Sequence, residues 1–160
     1  MTLETYAYLG EIIAAVAVIA SLIYVARQLG QTTAMMRVGA ASERVQRDFE
    51  IVSSVIESRE VADLWVKGGS QFDRLDEVDK QRLILFERRA ITLWHHVFLL
   101  RQQSLYTDAD WNENEWTIDH FGRRRALREA WRLFKDAYEK PFQEYIDGRF
   151  AIADSAAAGG

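Results

Sequence analysis

The chain has 160 residues, of which 49% are hydrophobic and 28% are charged, and it contains no cysteine. The lack of cysteine excludes disulfides, thiolate zinc sites and cysteine nucleophiles. The net charge of −4 argues against nucleic acid as a partner, because nucleic-acid-binding proteins usually present a basic surface. A single proline in the whole sequence predicts an all-α fold, helical nearly throughout.

The most apolar stretch of the sequence covers residues 6–26, in which Glu11 is the only charged residue. A bilayer core about 30 Å thick is crossed by roughly 20 helical residues, so this stretch has the length of a membrane span. Tyr6, Tyr8 and Tyr24 stand near its two ends, where aromatic rings favour the headgroup region. We therefore expect residues 1–28 to form a transmembrane anchor; the alternative is a buried core helix of a soluble bundle.

Basic residues follow this stretch closely and none precedes it. Arg27, Arg37, Arg44 and Arg47 lie just beyond the span, which predicts a cytoplasmic C-terminal part and an outside N-terminus in a bacterial inner membrane. A cleaved signal peptide is less favoured, because the first residues carry Glu4 and no Lys or Arg. The expected partner of this segment is membrane lipid.

Small residues recur along the predicted span at spacings of four, three and four. Gly10, Ala14, Ala17 and Ser21 therefore share one helix face, which would allow a second helix to approach closely in lipid. This pattern predicts a homo-oligomer, and the first hypothesis for function is a single-span membrane protein that self-associates and acts as a structural or interaction module. The alternative is that Gly and Ala are simply common in membrane helices.

Glu11 is the best single candidate for a functional residue. An acid within the hydrocarbon region should face a partner helix, water or a protonation equilibrium, which leads to a second hypothesis of an oligomeric pore or proton-linked channel element. Alternatively, the side chain reaches the outer membrane interface and has no further role.

Beyond the span, the sequence predicts a cytoplasmic helical domain over residues 29–150. The first helix is expected to continue past Gly30 and Gly39, or to kink at one of them, since each glycine costs about 1 kcal/mol in a helix interior. Apolar residues then repeat at helical spacing at four positions: Val45, Phe49, Val52 and Ile56.

Local signals divide the rest of this domain into helices. A short helix around 60–67 should stop at Gly68-Gly69, Asp76 should cap a helix reaching about residue 103, and Thr107 or Asp108 should cap a helix ending at Gly122. The last helices are predicted around 124–138 and 141–150, and residues 151–160 are expected to form a disordered tail.

Three parts of the sequence carry a resemblance. Residues 11–33 (EIIAAVAVIASLIYVARQLGQTT), the acid-rich turn at 105–111 and a terminal aromatic stretch resemble a group of small, uncharacterised bacterial proteins; the aromatic stretch comprises Trp131, Phe134, Pro141, Phe142, Tyr145 and Ile146. The resemblance implies an N-terminal span followed by a helical cytoplasmic domain. It implies no reaction.

The densest basic patch of the sequence lies between 123 and 132. It consists of Arg123, Arg124, Arg125, Arg128 and Arg132. Such a patch could contact anionic lipid headgroups or an acidic protein surface. The alternative is a solvated helix face with local pairing to Glu129 and Asp136.

No motif in the sequence indicates catalysis, and we expect neither an enzyme nor a cofactor. Phosphate-binding loops, serine nucleophile elbows and His-Glu-x-x-His patterns do not occur in the sequence. A third hypothesis, a helical metal-binding enzyme, would use His95, His96 or His120. His95 and His96 are adjacent and point about 100° apart on a helix, which disfavours shared ligation of one ion.

Overall fold

A computed structural model describes the backbone of residues 3–158 and the side chains of residues 7–156. Within that part of the chain the fold is all-α and contains no strand, which confirms the predicted fold class. The six α-helices are α1 (Leu3–Ile56), α2 (Arg59–Ser70), α3 (Glu77–Gln102), α4 (Asp108–Phe121), α5 (Arg125–Phe134) and α6 (Lys140–Ala158). Single 3₁₀ turns at Phe72–Arg74 and Lys135–Ala137 follow α2 and α5. The side chain of Tyr6 lies outside the described residues.

The chain divides into two compact units, Met1–Gly39 and Ala40–Gly160. The first unit is helical where the structure describes it, and its most apolar window has a mean hydropathy of 2.3 with none of its residues buried. This helix is long and apolar enough to cross a membrane. The predicted boundary between anchor and domain lay at residues 28 and 29, whereas the compact units meet at Gly39 and Ala40.

Helix α1 continues unbroken through Gly30 and Gly39, so the structure shows the first of the two alternatives that the sequence left open, a continuous helix rather than a break. A Cβ atom added to either glycine would meet no atom within 4 Å. Packing therefore does not demand glycine at either position, and the local propensity cost is not enough to interrupt the helix.

The second unit is organised around α3. This helix packs against α2, α4 and α5, and α4 packs against α6. The core buries the following side chains: Leu64, Phe72, Leu83, Ile84, Ile91, Trp94, Ile118, Ala126, Leu127, Ala130, Trp131, Phe142, Ile146 and Phe150. Aromatic rings fill much of this space, with Phe142 in edge or tilted contact with His95, Phe98, Trp131 and Tyr138.

Short-range signals determine several helix ends in the second unit. The Asp76 carboxylate accepts a hydrogen bond from the Asp79 amide at 2.9 Å, so Asp76 caps α3 as predicted. Thr107 and Asp110 form a reciprocal capping box at the start of α4, and Gly122 caps its end. These three predictions are confirmed.

The predicted stop at Gly68-Gly69 is wrong, because α2 continues to Ser70. A Cβ atom on Gly68 would lie 2.8 Å from Cδ1 of Leu83. Glycine at this position thus permits α2 to approach α3 closely rather than ending the helix.

The structure also differs from the expected disordered tail, since α6 is helical to Ala158. Ala153 is buried, and its carbonyl accepts a hydrogen bond from Arg123 Nε at 2.8 Å. Asp154 forms an ion pair with Arg128 at 2.7 Å. These tertiary contacts hold the end of α6 beyond Phe150, in a segment rich in alanine, the residue with the highest helix propensity. Residues 159–160 lie outside the described part.

Candidate interaction surfaces and an apolar cavity

The small-residue face predicted in the span is exposed in the first unit. Gly10, Ala14, Ala17 and Ser21 are all accessible on α1. The Ser21 hydroxyl donates to the Ala17 carbonyl at 2.9 Å, so its polarity is satisfied within the helix. Glu11, next to Gly10, is likewise exposed. This face is therefore accessible along α1.

A second apolar stripe is exposed on the part of α1 that belongs to the second unit. Val45, Phe49, Val52 and Ile56 are 68%, 68%, 52% and 77% exposed. These four residues, hereafter the α1 stripe, form the pattern that the sequence singled out. In a folded domain, four large apolar side chains at helical spacing are normally covered.

The packed face of the same helical segment lies one residue back in sequence. It comprises Ala40, Arg44, Asp48, Ile51 and Val55, which are buried or half-buried. Arg44 is 8% exposed and its Nη1 lies 3.2 Å from Glu113 Oε2 on α4. One residue corresponds to about 100° of helix rotation, so the two faces point in different directions. The face that carries Arg44 and Asp48 is turned inward, and the α1 stripe is turned outward.

The spacing of the α1 stripe continues backward along the sequence to the small residues of the span. Steps of four and three residues connect Gly10, Ala14, Ala17, Ser21, Tyr24, Gln28, Gln31, Met35, Val38, Ser42, Val45, Phe49, Val52 and Ile56. This is a seven-residue repeat, the period of left-handed coiled coils. The sequence interpretation had treated the two ends separately and missed the repeat, although the signal lies in the spacing alone.

Two arginines of the predicted basic patch point into intramolecular contacts. Arg124 is largely buried; its Nε donates to Glu87 Oε1 at 3.0 Å and its Nη2 donates to the Trp65 carbonyl at 2.6 Å. Its guanidinium also lies 3.9 Å from the Trp65 ring centroid. Arg128 donates to the Phe150 carbonyl at 3.1 Å, in addition to its pair with Asp154.

The remaining members of the patch are divided between an interior contact and the surface. Arg123 bonds to the α6 backbone, whereas Arg125 and Arg132 are more than half exposed. Arg132 pairs with Glu129 at 2.7 Å, and this contact lowers the pKa of the Glu129 carboxyl. Arg123 is also exposed apart from its contact with the α6 backbone, so the exposed arginines of the patch are Arg123, Arg125 and Arg132.

The three histidines are placed in separate contacts. His95 Nε2 lies 2.8 Å from Glu139 Oε2, and His120 stacks on Trp116 at 4.8 Å between ring centroids. His96 Nε2 is buried, makes no hydrogen bond to the described residues, and lies 4.0 Å from Glu43 Oε2. Within the part of the chain that the structure describes, no group of three His, Asp or Glu residues is arranged to hold a metal.

Glu87 is the most deeply buried acid of the second unit, with 4% exposure. It lies four residues after Leu83 and four before Ile91, both core residues of α3. Burial raises the pKa of its carboxyl, an effect that Arg124 partly opposes. The sequence interpretation did not identify Glu87 as buried or as the partner of Arg124, although an acid four residues from Leu83 and from Ile91 was a signal for a buried pair.

The Glu87–Arg124 pair borders a cavity of about 240 Å³ within the second unit. Its walls are predominantly apolar and come from α1, α2, α3, α4 and α5, the last two near Phe121 and Leu127. Asp48 also lines the cavity. Burial raises the pKa of the Asp48 carboxyl, while the nearby Arg44 opposes the increase. An apolar space with a few charged groups is the usual form of a small-molecule site.

Comparison with models of known protein families, with curated proteins and with solved structures finds no match.

Proposed function

We propose that this protein is a membrane-anchored, self-associating interaction module whose copies pair through α1. The observation that carries the proposal is the α1 stripe, which leaves Val45, Phe49, Val52 and Ile56 uncovered in a single chain. Apolar surface of this kind is stabilised by removal from water. A second copy of α1 presents the same stripe and would cover it.

The apolar segment of the first unit supports a membrane anchor. It has the length and hydropathy of a span, and none of its most apolar window is buried against the rest of the chain. Arg27 and the arginines after it favour a cytoplasmic second unit and an outside N-terminus in a bacterial inner membrane. Anchoring in one bilayer holds two copies parallel and raises their effective concentration.

The seven-residue repeat supports a second copy as the occupant of the α1 stripe. In a parallel pair, each repeat position meets the same position of the partner helix. Gly10, Ala14 and Ala17 would allow close contact in lipid, and the polar layers at Gln28 and Gln31 would fix the register. The role that follows is structural, with the second units brought together at the membrane surface.

Cysteine cross-linking tests this proposal directly, because the chain contains no cysteine of its own. Single cysteines replace Val45, Phe49, Val52 or Ile56 in the full chain, and membranes are treated with a mild oxidant. A disulfide requires Cα atoms within about 7 Å, so only positions on the helix seam should give a covalent dimer.

Glu50→Cys provides the matched control, since Glu50 is exposed and adjacent to Phe49 but lies outside the α1 stripe. We expect dimers at the four stripe positions and little dimer at Glu50. Equal cross-linking at Glu50, or no dimer at any stripe position, would refute pairing through this face.

A further inference from the structure

We propose that the cavity of the second unit binds a small apolar molecule carrying an ammonium group. Its volume of about 240 Å³ exceeds the roughly 150 Å³ of an engineered protein cavity that takes up benzene. One aromatic ring with a short alkylamine chain is therefore a suitable size. Val52 and Ile56 of the α1 stripe also line this space, so the pairing surface and the proposed site share these two residues. Amine binding and pairing are measured by separate experiments, so either proposal can fail alone.

The cavity walls favour a molecule with an apolar body. Val55 of α1, Trp65 of α2, Phe86 and Ala90 of α3, and Phe121 of α4 all line the space. The apolar surface of a bound molecule would make dispersion contacts with these side chains, and these contacts are missing when the cavity is empty. The Trp65 ring already holds the Arg124 guanidinium 3.9 Å from its centroid, so this wall accommodates a cation against an aromatic face.

The charged groups of the cavity favour a cationic head. Two carboxylates, those of Asp48 and Glu87, line the space with one guanidinium, that of Arg124, which leaves one negative charge in excess. Arg124 already donates to Glu87 and to the Trp65 carbonyl. An added anion would meet two carboxylates and a guanidinium that is already engaged.

Asp48 is the group best placed to receive an ammonium. Its half-buried carboxylate makes no hydrogen bond or ion pair with the residues that the structure describes. Arg44 is near it, but Arg44 is paired with Glu113 and also donates to the Asp110 carbonyl. An ammonium at Asp48 would supply the hydrogen-bond donor that this partly desolvated carboxylate lacks.

The experiment compares three probes of nearly equal shape: 3-phenylpropylamine, 3-phenylpropanol and 3-phenylpropionate. Binding to the full chain in detergent is measured by calorimetry and by tryptophan fluorescence, because Trp65 and Trp94 line the cavity. We expect saturable binding of the amine. The alcohol should bind about tenfold more weakly, because it carries no charge. The carboxylate should bind more weakly still.

Two variants locate the site. Ala90→Leu narrows the cavity and should weaken amine binding at least about tenfold. Its assay contains the same detergent, so it also controls for partition of the amine into micelles. Asp48→Asn should weaken amine binding about tenfold and leave alcohol binding unchanged. Helical circular dichroism and the melting temperature verify that each variant folds; if Ala90→Leu does not fold, Asp48→Asn and the alcohol comparison decide.

The possible outcomes are distinct. Absence of saturable amine binding to the parent protein overturns the proposal. Equal affinity for all three probes, or an amine affinity unchanged in Asp48→Asn, overturns the cationic class. An amine affinity that is unchanged in a folded Ala90→Leu variant places the amine elsewhere and also overturns the proposal.

Discussion

Replacing Phe49 by alanine should weaken self-association without destabilising the folded chain. Phe49 is 68% exposed in the single chain, so most of its surface remains to be buried by a partner. Full burial of such a side chain contributes about 1.5–3 kcal/mol, and the exposed two thirds would contribute about 1–2 kcal/mol per chain. In a symmetric pair both copies lose this burial free energy, so the total loss of dimer stability is about 2–4 kcal/mol.

A loss of that size raises the dimer dissociation constant about 30- to 1,000-fold, because 1.4 kcal/mol corresponds to a factor of ten. Energy transfer between singly labelled full-length chains in liposomes measures this constant over a range of protein-to-lipid ratios. The matched control is Glu50→Ala, which alters an exposed neighbour outside the α1 stripe. The free energy of unfolding of Phe49→Ala should stay within about 0.5 kcal/mol of the parent value. Equal dissociation constants for the two variants would refute the assignment of the stripe.

Three further predictions concern the second unit. Burial raises the pKa of Glu87 above its ordinary value of 4.5, so the folded state binds the carboxyl proton of Glu87 more tightly than the unfolded state does. The free energy of unfolding of the parent protein, compared with that of Glu87→Gln, should therefore fall as pH rises from 4.5 through the raised pKa. A pH-independent difference in urea titrations of the two proteins would contradict this. Thr107→Ala removes the capping box of α4 and should cost about 1 kcal/mol by chemical denaturation; no loss would argue against the cap. Truncation after Phe150 removes the Ala153 and Asp154 contacts and should cost about 1–3 kcal/mol, whereas an unchanged melting temperature would show that the end of α6 contributes nothing.

Helix ends and helix identity were predictable because local chemistry determines them. Asp76 and Thr107 cap their helices through bonds to residues three positions later, so the sequence alone contains the relevant partners. Gly68 shows the limit of this approach. A glycine stop requires a left-handed backbone at the helix end, whereas Gly68 is helical within α2 and lies against Leu83.

The orientation of α1 in the second unit was not predictable from hydrophobicity. Val45 and Phe49 are more apolar than Arg44 and Asp48, yet the side chains of Arg44 and Asp48 are the ones that face inward. The partner that makes this arrangement possible, Glu113 beside Arg44, lies far away in sequence. Long-range ion pairs leave no trace in local periodicity.

Long-range contacts also explain the fate of the predicted basic patch. Arg124 pairs with Glu87 and Arg128 pairs with Asp154, and both ion pairs connect different helices. Part of the arginine run that the sequence suggested as an interaction surface therefore stabilises the fold instead. The same pairs could not be foreseen without the fold. The resemblance to the small bacterial proteins, the membrane orientation and the role of Glu11 stay predictions.

The most direct test of self-association is the mass of the intact assembly released from native membranes. A mass equal to two or more copies of the chain, reduced to one copy by Phe49→Ala and unaffected by Glu50→Ala, is the result predicted by pairing through the α1 stripe. A mass of one chain for the parent protein, at concentrations where it is natively expressed, would contradict the proposed function.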